Sequence, residues 1–139
     1  MTYSLQELSD KLEIQELCHD YSEAIDQKDF DRLDNVFTAD AFIDYSALGG
    51  EKGDYAAIKA FLSSALPMFD DYYHMVSNVR IHLDGDEASG RVMCFNPMGI
   101  PMDDKQHMMF LGLFYLDKYV RTEQGWRIKE RVEERSWGY

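Results

Sequence analysis

From Tyr72 onward the chain changes its rhythm. Before this point apolar residues recur every three or four positions. After it they alternate, and a period of two marks extended strands. "HMVSNVRIHLDGDEASGRVMCF" predicts two strands, Met75 to Leu83 and Ala88 to Phe95, around a turn at "DGDE". "NPMGIPMDDKQ", with its two prolines, reads as an exposed loop. A long strand is predicted from His107 to Arg121. Its first half, "MMFLGLFYL", is apolar on both faces and should lie centrally. "TEQG" turns the chain into a last strand, "WRIKERVEERSW". Four long strands in succession make a meander, and the segments before them must cover one of its faces.

Those segments read as helices. Ser4 and Glu7 fit a capping box, followed by Leu5, Leu8, Leu12, Leu17, Tyr21, Ala24 and Ile25 at helical spacing. Asp29 can cap a short second helix carrying Phe30, Leu33, Val36 and Phe37. "AFIDYSALGG" suggests a strand from Phe42 to Tyr45 that ends in glycines. Asp54 caps a third helix with Ile58, Phe61, Leu62 and Leu66 on one side, and Pro67 ends it. The predicted fold is one α+β domain over residues 1–139. Its N-terminal helices pack on a strongly curved, mainly antiparallel sheet, a cone-shaped barrel that encloses a pocket.

Charge narrows the partners. The chain carries a formal net charge of −12, and its basic residues are dispersed or interleaved with glutamate. That excludes a phosphate-binding surface for nucleic acid and disfavours an anionic membrane. Nine tyrosines and eight phenylalanines suit a pocket for a small hydrophobic molecule. Cys18 and Cys94 lack metal-ligand spacing, so no zinc site is expected. With no apolar leader and no run of membrane-span length, the chain reads as cytoplasmic.

Three stretches carry a family resemblance: "LEIQELCHDYSEAIDQKDFDRLDNVFTADAFIDY", "HMVSNVRIHLDGDEA" and "GWRIKERVEERSW". They resemble the SnoaL-like branch of the nuclear transport factor 2-like superfamily, and within it scytalone dehydratase and bile acid dehydratase. The resemblance implies a functional Asp at the end of the first helix and a His opening the first long strand, here Asp26 and His74. It matches Tyr21, five residues before Asp26, and Tyr45 to functional tyrosines, and it sets Arg135 on an active-site arginine. It also implies a homodimer or homotrimer joined through the outer face of the sheet. The chain departs where scytalone dehydratase has a second His, here near Met98, and a Ser and an Asn, here Leu113 and Tyr115. Asn96 stands where bile acid dehydratase has an Asp. The substrate therefore does not carry over.

The residues themselves support acid–base chemistry. A histidine exchanges protons near neutral pH, and a carboxylate on one ring nitrogen fixes its tautomer. No nucleophile is evident beside the pair. His74, oriented by Asp26, would take a proton from carbon next to a carbonyl, with Tyr21 and Tyr45 donating to the oxygen. The expected function is a cofactor-independent dehydratase acting on a hydrophobic cyclic hydroxy-ketone or enone, polyketide-, steroid- or aromatic-like. A double-bond isomerase or a non-catalytic ligand-binding or oligomerisation domain is the alternative. Asn78, Asn96, Met98, Phe110, Tyr115 and Arg135 are the candidates for substrate contact. Asn78 shares the parity of His74 and should line the same wall. Strict alternation puts Arg135 on the polar face with Lys129 and Arg131, so it turns inward only if a bulge flips the register.

Overall fold

The computed structural model describes residues 2–139. Helix α1 (Leu5–Asp26) starts with the anticipated capping box: Glu7 N–H donates to Ser4 Oγ at 3.1 Å, and Ser4 N–H donates to the Glu7 carboxylate at 2.7 Å. Its buried stripe runs through Asp10, Ile14, Leu17, Cys18, Tyr21 and Ile25. Leu5, Leu8 and Leu12 do not belong to it and are exposed. At 100° per residue they fall on the opposite side of the helix, because the step from Leu12 to Leu17 spans five positions.

A 3₁₀ turn, Phe30–Asn35, leads into β1 (Phe37–Asp44), which starts earlier than expected because Phe37 is buried and pairs with the last strand. A short strand, β2 (Lys52–Asp54), precedes α2 (Tyr55–Ala65), whose first turn is capped by Asp54. Then come β3 (Met75–Asp84), β4 (Glu87–Met102), β5 (Lys105–Thr122) and β6 (Gly125–Gly138). The sheet order is β2-β1-β6-β5-β4-β3, parallel only between β1 and β6. The sheet is curled but not closed. Helix α1 lies across its concave face and reaches the β3 edge, where Lys11 Nζ donates to Ile81 O at 2.8 Å.

The expected proline loop is not a loop. Strand β4 continues through it and pairs with β5 as far as Met102 opposite Lys105. Asp103 and Asp104 make the turn, both with positive φ. The prolines fit because their backbone edge faces away from β5. Tyr73 N–H donates to Pro97 O, and Gly99 exchanges hydrogen bonds with Asp70 and Asp71 on that same side. The missing N–H groups of Pro97 and Pro101 therefore remove no β4–β5 bond.

Strand β6 breaks strict alternation. Tyr119 pairs with Ile128 but Lys118 pairs with Glu130, so Lys129 is an extra, bulged residue. Trp126 and Ile128 face inward before the bulge; Arg131, Glu133 and Arg135 take the inward parity after it. Arg131 is fully buried and pairs with Asp117, Nε to Oδ1 at 2.8 Å and Nη2 to Oδ2 at 2.7 Å. Its guanidinium lies 4.4 Å from the Tyr21 ring centre and 4.0 Å from that of Tyr115. Tyr119 Oη donates to Asp117 Oδ2 at 2.7 Å. Removing one charge strands the other in the core, a loss of roughly 3–5 kcal/mol. Asp117→Asn is thus expected to lower folding stability by about that amount in urea unfolding, and the double change Asp117→Leu with Arg131→Met to lose less than Asp117→Asn alone. Wild-type stability in Asp117→Asn would contradict this.

Candidate functional site

Asp26 is the last residue of α1, and His74 immediately precedes β3. Their side chains meet: His74 Nδ1 lies 2.8 Å from Asp26 Oδ1. The His74 backbone N–H also donates to both carboxylate oxygens at 3.1 Å. An ionised carboxylate only accepts, so Nδ1 carries the hydrogen and Nε2 is left as an acceptor with no partner among the described residues. The two side chains are 10% and 18% exposed, sheltered but reachable. Tyr72 packs edge-on against the His74 ring at 5.7 Å, while its hydroxyl donates to Ile25 O at 2.7 Å. That bond satisfies a carbonyl at the helix end and ties the approach to β3 onto α1. The pair borders an open groove of about 500 Å³ shared with His19, Ser22, Gln27 and Tyr73. Val76 lines it too, so polar side chains and apolar surface share the groove.

Behind His74 the inner wall is aromatic. The Tyr21 ring stands edge-on to His74 at 6.3 Å, and Tyr21 Oη is 2.6 Å from Tyr45 Oη. Both tyrosines are buried. Burial pushes the Tyr21 phenol up to about 12 and that of Tyr45 well above its ordinary value, so both stay neutral donors. Their mutual hydrogen bond uses one of the two protons and leaves the other free to donate.

The remaining candidates divide. Asn96 is buried, and its Nδ2 donates to Tyr73 O at 2.8 Å, so it fixes the backbone next to His74. Met98 is buried and bridges to Tyr72. Tyr115 is buried edge-on to Tyr21 at 5.6 Å. Arg135 takes the inward parity opposite Leu113 but is exposed at the open end of the wall. Asn78 and Phe110 are corrections. A bulge between Ser77 and Arg80, where Asn78 takes φ 49°, turns Asn78 onto the outer face beside Met93 Sδ at 3.8 Å. Phe110 also points outward, stacked on Phe95 at 6.2 Å. Trp137 completes this outer cluster, lying so close over Gly112 that any Cβ there would clash with its ring.

Alternation along β6 misses two inner-face residues, Arg131 and Glu133. The available signal was Asp117, which shares parity with Leu113, Tyr115 and Tyr119. A charge on that face requires a cation opposite it. Glu133 is half-buried opposite Tyr115, and burial pushes its carboxyl up to about 8. Both cysteines are buried and free; burial pushes Cys18 up to about 11 and Cys94 to about 12, so neither offers a thiolate. Among the described residues no cluster of three or more His, Cys, Asp or Glu could hold a metal ion, and no helix is long and apolar enough to cross a membrane.

Comparison with known proteins agrees with this architecture. The chain is 56% identical over 130 residues to the uncharacterised protein Rv2910c of Mycobacterium tuberculosis, covering 94% of this chain and 88% of that one. It is 24% identical over 127 residues to the gamma-hexachlorocyclohexane dehydrochlorinase of Sphingobium indicum, covering 91% and 81% respectively. Among solved structures, Kfla4162 from Kribbella flavida superposes with a TM-score of 0.87 at 25% identity, covering 94% of this chain and 93% of that one. A protein from Novosphingobium aromaticivorans, provisionally named a scytalone dehydratase, does so with a TM-score of 0.83 at 22% identity, covering 95% and 87%. The profile of the SnoaL-like domain matches residues 6–132, and the chain belongs to that family.

Proposed function

We propose that the protein is a cofactor-independent lyase that eliminates water from a cyclic hydroxy-ketone by His–Asp acid–base chemistry. The observation carrying this reading is the 2.8 Å bond from Asp26 to His74 Nδ1, which leaves Nε2 as a base beside an open groove. Nε2 takes a proton from the carbon next to the carbonyl, and Asp26 stabilises the imidazolium that forms. The spare proton of the Tyr21–Tyr45 pair donates to the carbonyl oxygen as it gains charge. The hydroxyl on the adjacent carbon takes a proton from an acid of the site as its C–O bond breaks and departs as water, leaving a conjugated enone. The dehydrochlorinase relative supports the chemistry: its name describes loss of hydrogen chloride from a substituted cyclohexane. Arg135, Met98 and Tyr115 would border the substrate, while Asn96 holds the backbone next to His74. The test is turnover of a panel of cyclic β-hydroxy-ketones, with 3-hydroxycyclohexanone and hydroxytetralones as first members. His74→Ala is expected to lose roughly 10²-fold or more. Full activity in that variant would sink the mechanism.

The outer sheet face fits a second copy of the chain. Phe95, Phe110 and Trp137 form a contiguous aromatic cluster there, with Trp137 43% exposed. The protein is expected to sediment as a dimer or trimer and Trp137→Glu as a monomer. A monomeric wild type at micromolar concentration would overturn this assignment.

A further inference from the structure

The bulge at Lys129 brings a second carboxyl into the cone. Glu133 follows buried Arg131 by two residues on β6 and stands directly opposite buried Tyr115. Charged and titratable groups reach it from every element packed around it. Arg131 lies on its own strand, Asp44 on β1, Tyr45 just beyond β1, Tyr21 on α1, Tyr115 on β5 and Cys94 on β4. Arg131 is the cation in this set, and Asp117 already engages it with two hydrogen bonds. Asp44 carries negative charge, held ionised by hydrogen bonds from the Ser46 backbone and hydroxyl. Burial and Asp44 therefore push Glu133 up to about 8 against the pull of Arg131, and no hydrogen bond contributes. A carboxyl kept only for packing would be paired or hydrogen-bonded. Among the described residues Glu133 is neither, and it stays partly open at the end of the wall where Arg135 is exposed.

We propose that Glu133 is the proton donor to the departing oxygen, so that elimination uses two separate groups of the cone. This rests on the elimination reading above and specifies it. His74 Nε2 accepts the carbon-bound proton, and the freed electron pair forms the new C=C bond. The C–O bond breaks, its electron pair takes the Glu133 proton, and water leaves. Solvent then returns a proton to Glu133 and removes one from His74, so the net reaction is hydroxy-ketone to enone plus water. Tyr21 links the two groups: its ring stands 6.3 Å from that of His74 and 5.6 Å from that of Tyr115, the residue directly opposite Glu133. The substrate class follows. An acid is needed for a hydroxyl, a poor leaving group, and not for one that leaves unaided as a stable anion.

A proton donor acts only while protonated, so turnover should fall as pH rises through about 8. The experiment compares wild type and Glu133→Gln on 3-hydroxycyclohexanone and on 3-(4-nitrophenoxy)cyclohexanone, whose nitrophenolate needs no proton to leave. Glu133→Gln is expected to lose roughly 10²-fold on the hydroxy-ketone and the descending alkaline limb with it, but less than about 5-fold on the nitrophenyl ether. Equal losses on both substrates, or none on either, would overturn the assignment. A second measurement needs no turnover: the carboxyl ¹³C resonance that Glu133→Gln removes is followed against pH, with and without 2-cyclohexenone. Titration near 8 and a shift on adding the enone support the proposal. Titration in the ordinary carboxylate range, or indifference to the enone, overturns it. If wild type turns over neither ketone, the elimination reading fails, and the resonance alone decides whether Glu133 meets a ligand as an acid.

Discussion

The buried ion pair of Arg131 and Asp117 is the constraint around which the cone is arranged. Two charges out of water are tolerated only with near-complete hydrogen bonding and good packing. Here Asp117 receives two bonds from the guanidinium and one from Tyr119, and the rings of Tyr21 and Tyr115 cover the guanidinium, whose Nη1 has no hydrogen-bond partner among the described residues. The pair demands that β6 turn Arg131 inward opposite Asp117, and the extra residue at Lys129 makes that possible. The same shift brings Glu133 and Arg135 to the inner parity. One bulge therefore supplies both a structural anchor and the polar end of the wall.

Tyr21 transmits this anchor to the site. It rests on Arg131, bonds Tyr45 and stands against His74, so the ion pair fixes the rotation of α1 about its axis. The other end of the helix is fixed independently. Arg121 grips Asp10 with two bonds of 2.8 Å, and Trp126 Nε1 donates to the same carboxylate at 3.1 Å. These bonds hold the Asp10 carboxyl well below the usual carboxylate range. A helix held at two points 11 residues apart by Asp10 and Tyr21 delivers Asp26 to a defined place. There the backbone and ring of His74 both bind it.

Much of this was legible in the sequence. The change of period at Tyr72 announced the meander, and "SLQE" announced the capping box. Asp26 and His74 were legible through the family resemblance, which matches them to an Asp at the end of the first helix and a His opening the first long strand. What alternation could not show was any bulge, since an inserted residue leaves local composition unchanged while flipping all that follows. Asn78 and Arg131 were misplaced for that reason, and Glu133 was overlooked. The prolines of β4 misled because sequence does not reveal which backbone edge faces a neighbour. Leu5, Leu8 and Leu12 misled because their own spacing is helical while their phase is opposite to that of the buried stripe. Phe110 looked like pocket lining because both faces of β5 are apolar; its face is the outer one.

The central claim is that Nε2 of His74 removes a proton from carbon beside a carbonyl. The most direct measurement is exchange of that proton with solvent, followed by ¹H NMR of 3-hydroxycyclohexanone in D₂O. Wild type should incorporate deuterium at the carbon between the carbonyl and the hydroxyl-bearing carbon, or in the enone formed from it, faster than buffer alone. His74→Ala should fall to the buffer rate. Exchange at equal rates in wild type and His74→Ala, or none above buffer in wild type, would contradict the account.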